Sequence, residues 1–339
     1  MASGVDARRT VTGVRLALTV TGIILTLVAA ALLGLAYTAR LNPEIAWLRA
    51  LDAAKTGAVE RAAGEPAVLF SAGSSVTFGV DAAQLSKATG RPVINLGLHA
   101  GMGGAAIMAY AEAKAKRGDL IILSLENELL TTDPPVGRLA RAWAVADGHP
   151  RAAFGQVTPF TLLEAGKSVM EAASPGLQQL VNHAVKLALR LPTYKYSISG
   201  IDAYGDETVR VAGSEPDKPI QTRIASGWLG RLAAFRDRLS ARGAGVVYVL
   251  PWRLHAPTPA NLQAMTAYLQ SINTVLPVAL TRNCGLQTQP TWFGDTRLHL
   301  SDAGASARAN ELAEVLLHLS SHVAPSNSRL TFGCASYAR

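Results

Sequence analysis

Apolar positions along the chain form two patterns, a continuous run near the N-terminus and a series of short runs further on. The continuous run covers residues 16–37 without a charge, about 22 residues, which is long enough to cross a bilayer core of about 30 Å as a helix. A cleaved signal peptide is the alternative, but its apolar region is usually about 7 to 15 residues, and no small-x-small cleavage site follows Tyr37. The pattern therefore predicts a transmembrane anchor at residues 16–38.

Positive charges flank this anchor unevenly. Arg8, Arg9 and Arg15 precede it, whereas Arg40 alone follows directly after it. The bias of positive charge toward the cytoplasm predicts a short cytoplasmic tail at residues 1–15 and places everything after the anchor outside.

Short apolar runs after the anchor alternate with helical patterns. Helical patterns over residues 81–89, 103–116 and 223–242 each end beside a glycine. Five apolar runs are too short for helices and predict strands at residues 68–71, 93–96, 120–125, 246–250 and 278–280. This alternation predicts right-handed βαβ crossovers and an α/β domain whose parallel sheet is covered on both faces.

The same pattern sets the domain boundaries. Residues 39–65, rich in Ala and Glu, are predicted to form a helical stalk, and the α/β domain is predicted to span residues 66–323. Residues 131–221 break the alternation and are predicted to be a helical insertion, with helices at 160–173 and 177–191, over the sheet edge. Residues 324–339 are predicted to be a C-terminal tail.

The second inserted pattern, LQQLVNHAVKLALRL at residues 177–191, is unusually apolar. Packing on its own domain is the favoured interpretation, because an amphipathic surface helix normally buries its apolar face there. Docking on the bilayer or on a partner protein is the alternative.

Composition and charge narrow the function. The formal net charge of +8 is spread along the 339 residues without a run of five basic residues, which argues against nucleic-acid binding. The two cysteines, Cys284 and Cys334, form no CxxC or Cys/His cluster, so we expect no metal site and no cofactor. In an exported domain they either form a disulfide that closes a loop of about 50 residues or remain free thiols.

The first predicted strand runs directly into Ser74 and Ser75. This arrangement is typical of α/β enzymes that present a nucleophile at the carboxyl edge of the sheet. Near the C-terminus, Asp295 and His299 lie four residues apart, just before a predicted helix. We expect the carboxylate to orient the imidazole, whose other ring nitrogen would face a serine.

Two further positions fit the same chemistry. Gly97 follows the second predicted strand, where its backbone N–H would point into the cleft. Asn127 follows the third, where its amide would donate to an oxyanion. For Glu126 and Glu128 beside it, solvated or capping roles are favoured over acid–base work.

These segments resemble the four sequence blocks of the SGNH (GDSL-type) hydrolase superfamily. The first block reads GSS at residues 73–75, which makes Ser75 the nucleophile and puts Ser74 where the family has Asp. The second reads NLG and ends at Gly97. The third is altered, because the Gly that the family has two residues before the Asn at position 127 is absent.

The fourth block is similar to that of membrane-anchored SGNH-like proteins of the cell envelope, such as the D-alanyl transfer proteins of teichoic acid and the alginate acetylation proteins. Here Asp295 stands four residues before His299 rather than three. The resemblance covers about residues 66–320, discontinuously. It implies a flavodoxin-like three-layer αβα fold with a central parallel sheet, the SGNH hydrolase fold.

The resemblance also implies a function. It predicts a serine-dependent O-acyltransferase or acetylesterase, anchored in the bacterial inner membrane, with its domain on the periplasmic or extracellular side. Ser75, His299 and Asp295 would be catalytic, and the N–H groups of Ser75 and Gly97 would form the oxyanion hole with Asn127. The acyl groups of an exported or cell-surface polysaccharide would be its substrates, and a multi-span membrane acyltransferase its partner.

Two alternatives use the same fold. A membrane-anchored lipid esterase or lysophospholipase would apply the same residues to lipid. A catalytically inactive SGNH-like protein would only bind glycan or act as a scaffold.

Overall fold

The computed structural model describes residues 3–131, 136–147, 162–192, 194–213, 215–321 and 334. The chain begins with a 38-residue helix, α1 (Ser3–Arg40), and a second helix, α2 (Pro43–Arg61), follows after a short break. One stretch of this N-terminal helical region is long and apolar enough to cross a membrane, and its side chains are exposed. The predicted anchor therefore coincides with a suitable helix, and the described part of the predicted N-terminal tail, from Ser3 onward, continues that helix.

A parallel sheet forms the centre of the domain. Its strand order is 2-1-3-4-6, that of doubly wound sheets such as flavodoxin's. Its five strands are β1 (Val68–Ser71), β2 (Val93–Asn95), β3 (Leu120–Leu123), β4 (Gly245–Val249) and β6 (Val278–Ala279). The α/β class and the parallel sheet predicted from the sequence are confirmed, with every strand within two residues of its predicted bounds.

Two further strands, β5 (Arg253–Leu254) and β7 (Leu286–Gln287), pair in a separate small parallel sheet that the sequence did not predict. The helices after α2 follow in chain order as α3 (Ser74–Thr77), α4 (Ala82–Thr89), α5 (Gly104–Lys114), α6 (Asn127–Thr131), α7 (Arg138–Ala146), α8 (Leu162–Ala188), α9 (Trp228–Ala241), α10 (Pro259–Asn273) and α11 (Asp302–Ser321). Local signals explain their ends: Asp81 accepts a hydrogen bond from the Gln84 N–H at the start of α4, and Gly90 ends it at a φ of 66°.

Helices cover both faces of the sheet. Leu69 and Ile121 belong to a core cluster with residues of α2, α5, α9 and α10. Phe70 and Ile122, the next residues on the same strands, belong to the opposite cluster with α4 and α11. Because successive strand side chains point to opposite faces, the sheet contributes to two cores, as expected for a buried parallel sheet.

The segment predicted to be a stalk is instead part of the domain. Trp47, Leu48 and Leu51 in α2 are fully buried in the core with Ile45. Ile45, Leu48 and Leu51 are three residues apart, and Trp47 is four residues before Leu51, so the buried residues share one side of the helix, a pattern that the Ala and Glu content of the segment obscured. The domain therefore begins near Pro43 rather than Pro66.

The insertion also differs from expectation. The two predicted helices at residues 160–173 and 177–191 form one helix, α8, which packs against α1. Thr38 Oγ1 donates to the Ala172 carbonyl at 2.9 Å, and Asn42 Nδ2 donates to Gln179 Oε1 at 2.7 Å. Most of the predicted C-terminal tail lies outside the described residues. Within it, Cys334 forms a disulfide with Cys284, which settles the alternative that the sequence left open.

Candidate active site

The serine segment, residues 73–75, lies at the carboxyl edge of the sheet, where two residues separate the end of β1 from the start of α3. The adjacent strand β3 runs in parallel with Ser71 opposite Leu123, so residues just after both strands lie side by side. Glu126 uses this position to accept two backbone hydrogen bonds, from the Ser75 N–H at 2.9 Å and from the Gly73 N–H at 3.1 Å. Its carboxylate thus caps α3, the role that the sequence favoured, and it occupies the Ser75 N–H that was predicted to receive an oxyanion.

The Ser75 side chain is enclosed. The residue is 2% exposed, and within the described part of the chain its hydroxyl has no hydrogen-bond partner. The adjacent Ser74 is also buried. The structure therefore does not join Ser75 to His299 by a hydrogen bond, and a buried polar group without a partner costs free energy that a functional role would explain.

Asp295 and His299, the predicted acid–base pair, in contrast are in contact. Asp295 Oδ1 lies 2.8 Å from His299 Nδ1. Thr296 Oγ1 accepts the His299 backbone N–H at 3.0 Å, and the Gly294 N–H donates to the His299 carbonyl at 2.8 Å. The loop is thereby closed on itself, which explains how a four-residue spacing brings the carboxylate to the imidazole.

Aromatic rings enclose this pair and join it to the serine segment. Phe78, directly after α3, stacks on the His299 ring with the ring centres 4.5 Å apart. Tyr196 from the insertion contacts the same ring edge-on at 6.0 Å. His299 is 6% exposed as a result. The Asp–His pair therefore packs directly against the end of the short helix that begins at the serines.

The insertion supplies two polar groups that the sequence analysis missed. Lys195 Nζ donates to Asp295 Oδ2 at 2.6 Å, and the Tyr196 hydroxyl donates to the same oxygen at 3.4 Å. Burial alone would raise the pKa of Asp295, but hydrogen bonds from His299 and Lys195, together with their charges, hold it well below its usual value. Burial raises the pKa of Tyr196 to about 12, so its hydroxyl remains a donor.

The remaining predicted oxyanion donors are also engaged. The Gly97 N–H donates to Asn95 Oδ1 at 2.8 Å, and a Cβ at this glycine would overlap the backbone nitrogen of Thr77. Asn127 Nδ2 instead contacts Met265 Sδ in α10 at 3.6 Å. The residue after β3 that reaches the serine segment is therefore Glu126 and not Asn127. The oxyanion role of Asn127 stays a prediction, since its amide hydrogen bond in this structure goes to Met265 rather than to the serines.

A buried polar network holds the loop that carries Gly97. Asn95 Nδ2 donates to Asp206 Oδ1 at 2.7 Å and to the Val76 carbonyl at 2.8 Å. Lys55 Nζ donates to the carbonyls of Asn95 at 2.8 Å and Gly205 at 2.5 Å. Burial lowers the pKa of Lys55 to about 7 and raises the pKa of Asp206 to about 7. The network fixes α2, β2 and the insertion to one another around the site.

Two further residues shape the electrostatics. Arg308 in α11 is buried beneath the strand ends, where its Nη2 donates to Ser124 Oγ at 3.3 Å, and its positive charge interacts with Glu126. Burial lowers the pKa of Arg308 to about 10, which still leaves it charged.

His99 accepts the Gly101 N–H on Nδ1 at 2.9 Å, and burial, with the nearby His299 and Lys195, lowers its pKa to about 4. It is therefore a neutral imidazole with its proton on Nε2.

Among the described residues, no group of three or more His, Cys, Asp or Glu side chains is arranged to hold a metal ion. Comparison of the chain with protein-family models, with curated proteins and with solved structures gives no significant match. The family resemblance therefore rests on the sequence blocks alone.

The geometry can nevertheless be stated in chemical terms. In the neutral imidazole tautomer that donates from Nδ1 to an ionised Asp295, Nε2 carries a lone pair. This is the tautomer that a general base requires. On the serine side, the hydroxyl is buried next to a capped helix start, with a carboxylate where an oxyanion would need a donor.

Proposed function

We propose that the chain is a membrane-anchored serine acyltransferase or acetylesterase of SGNH type, acting on O-acyl groups of an exported or cell-surface polysaccharide. The observation that carries this proposal is the buried Asp295–His299 pair, packed through Phe78 against the helix that begins at the serines. The protein would be anchored in the bacterial inner membrane with this site on the periplasmic side. A multi-span membrane acyltransferase would be its partner in supplying acyl groups.

The reaction follows from the residues present. Ser75 Oγ attacks the ester carbonyl while His299 Nε2 takes the hydroxyl proton, and Asp295 stabilises the imidazolium. The alcohol leaves with that proton, and an acyl ester remains on Ser75. Water or a sugar hydroxyl then attacks this ester and gives its proton to His299, which passes it to Ser75 Oγ as the bond between serine and acyl group breaks.

The developing oxyanion needs hydrogen-bond donors, and this requirement adds a conformational step to the proposed reaction. Glu126 accepts the Ser75 N–H, so its carboxylate must rotate away before that N–H can receive the oxyanion. Repulsion between the carboxylate and the forming oxyanion favours the rotation, and the positive charge of the buried Arg308 interacts favourably with the Glu126 carboxylate.

A second candidate is a glycan-binding or scaffold protein without catalysis. One observation favours it: the Ser75 N–H, the Gly97 N–H and the Asn127 amide are each engaged by an acceptor within the protein. In this alternative Glu126 is a permanent helix cap.

Turnover of p-nitrophenyl acetate by the full-length protein in detergent separates the two. We expect Ser75→Ala to lower kcat/KM by a factor of about 10³ or more, while Ser74→Ala and the exposed control Ser240→Ala stay near the parent value. Loss in Ser74→Ala with retention in Ser75→Ala would reassign the nucleophile. Turnover that every serine variant retains at the parent rate would not come from these serines, and it would favour the binding or scaffold protein. A strong preference for a long-chain ester over the acetate would favour the lipid esterase.

A further inference from the structure

Helix α8 has three distinct faces from Met170 onward. One face contacts α1 and includes Ala172, Gly176 and His183; His183 Nδ1 lies 3.0 Å from the Tyr37 hydroxyl. The other two faces point away from the protein. The bound face explains why α8 stays attached to α1. The two exposed faces have no partner among the described residues.

The bound face brings α8 unusually close to α1. A Cβ at Gly34 would overlap the carbonyl oxygen of Ala173, and a Cβ at Gly176 would overlap the carbonyl oxygen of Gly34. Thr38, one turn further along α1, bonds to the Ala172 carbonyl. Backbone-to-backbone crossing at small residues is the way in which helices pack within membranes.

The crossing lies at a defined depth. Residues 16–37 span about 33 Å as a helix, close to the thickness of a hydrocarbon core of about 30 Å. Gly34 and Thr38 stand at the C-terminal end of that span. The helix α8 is therefore attached to α1 where α1 leaves the hydrocarbon core, on the same side as the domain.

One exposed face of α8 and its extension is apolar. It consists of Met170, Val181, Val185 and Leu189, which are 65%, 57%, 52% and 63% exposed. The spacing of 181, 185 and 189 places them on one line along the helix direction. Leu32 and Leu33, just before the crossing on α1, are exposed apolar residues as well.

The neighbouring face is polar and basic. Gln178, Asn182 and Lys186 follow one another at four-residue spacing and are exposed, with Arg190 just beyond the helix end. An apolar face beside a polar face that carries lysine and arginine is the arrangement of helices that lie in the plane of a membrane interface. The cations match the anionic phosphates of lipid headgroups.

We propose that α8 lies on the bilayer that α1 crosses, with the face of Met170, Val181, Val185 and Leu189 inserted among the lipid acyl chains. The position of α8 at the membrane surface follows from its crossing point with α1, and its orientation follows from the two exposed faces. Lys195, which holds Asp295, follows α8 after a short linker. Docking of α8 therefore fixes the candidate site close to the membrane surface, whatever reaction that site performs.

Spin labels on the full-length protein test this proposal. The two native cysteines form a disulfide, so Val181→Cys and Val185→Cys each add one labelling site for a nitroxide. Asn182→Cys on the polar face and Ala234→Cys on the exposed surface of α9 are matched controls. All four proteins are reconstituted in vesicles of phosphatidylethanolamine and phosphatidylglycerol, and collision rates with oxygen and with a water-soluble nickel chelate are measured.

The proposal predicts a ratio of oxygen to nickel collisions at least tenfold higher at positions 181 and 185 than at 234, with position 182 close to 234. Equal nickel access at 181, 185 and 234 would place the face in water and overturn the proposal. Exclusion of both reagents at 181 and 185 would also overturn it, because protein, for example a second copy of the chain, would then cover the face. An unchanged melting temperature shows that each variant is folded.

Discussion

The candidate site has two halves, an acid–base half formed by Asp295 and His299 and a serine half formed by residues 73–75. They differ in how many of the contacts needed for catalysis are present. The acid–base half has its partners in contact, with Asp295 and His299 2.8 Å apart and Lys195 supporting the carboxylate. Within the described residues the serine half has no such contact, because the Ser75 hydroxyl has no hydrogen-bond partner there and its N–H is held by Glu126. The first half is built within one closed loop, whereas the second depends on groups from three strand ends.

This difference shows which contacts can be predicted from the sequence. Two residues in a short loop are constrained to be near each other, so their spacing alone predicts the contact. Groups at the ends of neighbouring strands are brought to one edge by the sheet, but the direction of each side chain changes from one residue to the next. A single position decides whether an amide or a carboxylate faces the serine.

Breaking the acid–base half gives the largest expected effect. Asp295→Asn keeps the size of the side chain but its amide no longer enforces the His299 tautomer with a proton on Nδ1. We expect kcat for p-nitrophenyl acetate to fall by a factor of about 10² to 10⁴. The exposed Asp237→Asn is the control. Full activity in Asp295→Asn would contradict the proposed acid–base role of the Asp295–His299 pair.

Removing the cap of the serine half has a smaller effect, in the opposite direction. Glu126→Ala frees the Ser75 N–H, so we expect turnover to rise about three- to tenfold, while the lost charged hydrogen bonds lower the free energy of unfolding by about 1–3 kcal/mol. Kinetics and thermal melting of the same preparation test both, with the exposed Glu314→Ala as control. A folded Glu126→Ala protein without turnover would mean that this carboxylate takes part in the chemistry.

Weakening the support of Asp295 has a still smaller effect. Lys195→Met removes one hydrogen bond and one charge, so we expect turnover to fall less than fivefold and stability at pH 6 to fall by less than about 1 kcal/mol, since the lysine is half exposed. The pKa of Asp295 is held low in the folded protein, so the stability it contributes is present above its unfolded pKa and is lost as pH falls through the folded one. The unfolded carboxyl titrates alike in parent and variant, so the stability difference between them should stay constant as pH falls to about 4. It should shrink only below that pH, where the folded Asp295 of the variant begins to bind protons. A stability difference that already disappears between about pH 6 and about pH 4, where Asp295 stays ionised in both folded proteins, would assign it to another group and argue against the ion pair.

Reducing the disulfide leaves both halves untouched. The bond between Cys284 and Cys334 closes a long loop, and its loss should lower the free energy of unfolding by about 2–5 kcal/mol. Turnover at 25 °C should not change. Cys284→Ser with Cys334→Ser provides the same comparison without reductant. A loss of turnover in folded protein would connect the C-terminal tail to the site.

Particular residues show what the sequence could predict and what it could not. The strands were predictable because runs such as 68–71 are short, apolar and bounded by breakers. The core role of α2 was missed because Trp47 and Leu48 lie among alanines, and α10 and the β5–β7 pair were missed because their patterns are short or mixed. Lys195 and Tyr196 reach Asp295 across about a hundred positions of chain, and no local pattern indicates such a contact.

Covalent labelling of the full-length protein with a serine-directed fluorophosphonate, followed by mass spectrometry of the labelled peptide, tests the central claim most directly. The account predicts a label on Ser75 that His299→Ala abolishes and that the control His255→Ala retains. A label on Ser74, or no label at all on protein with its native melting temperature, would contradict it.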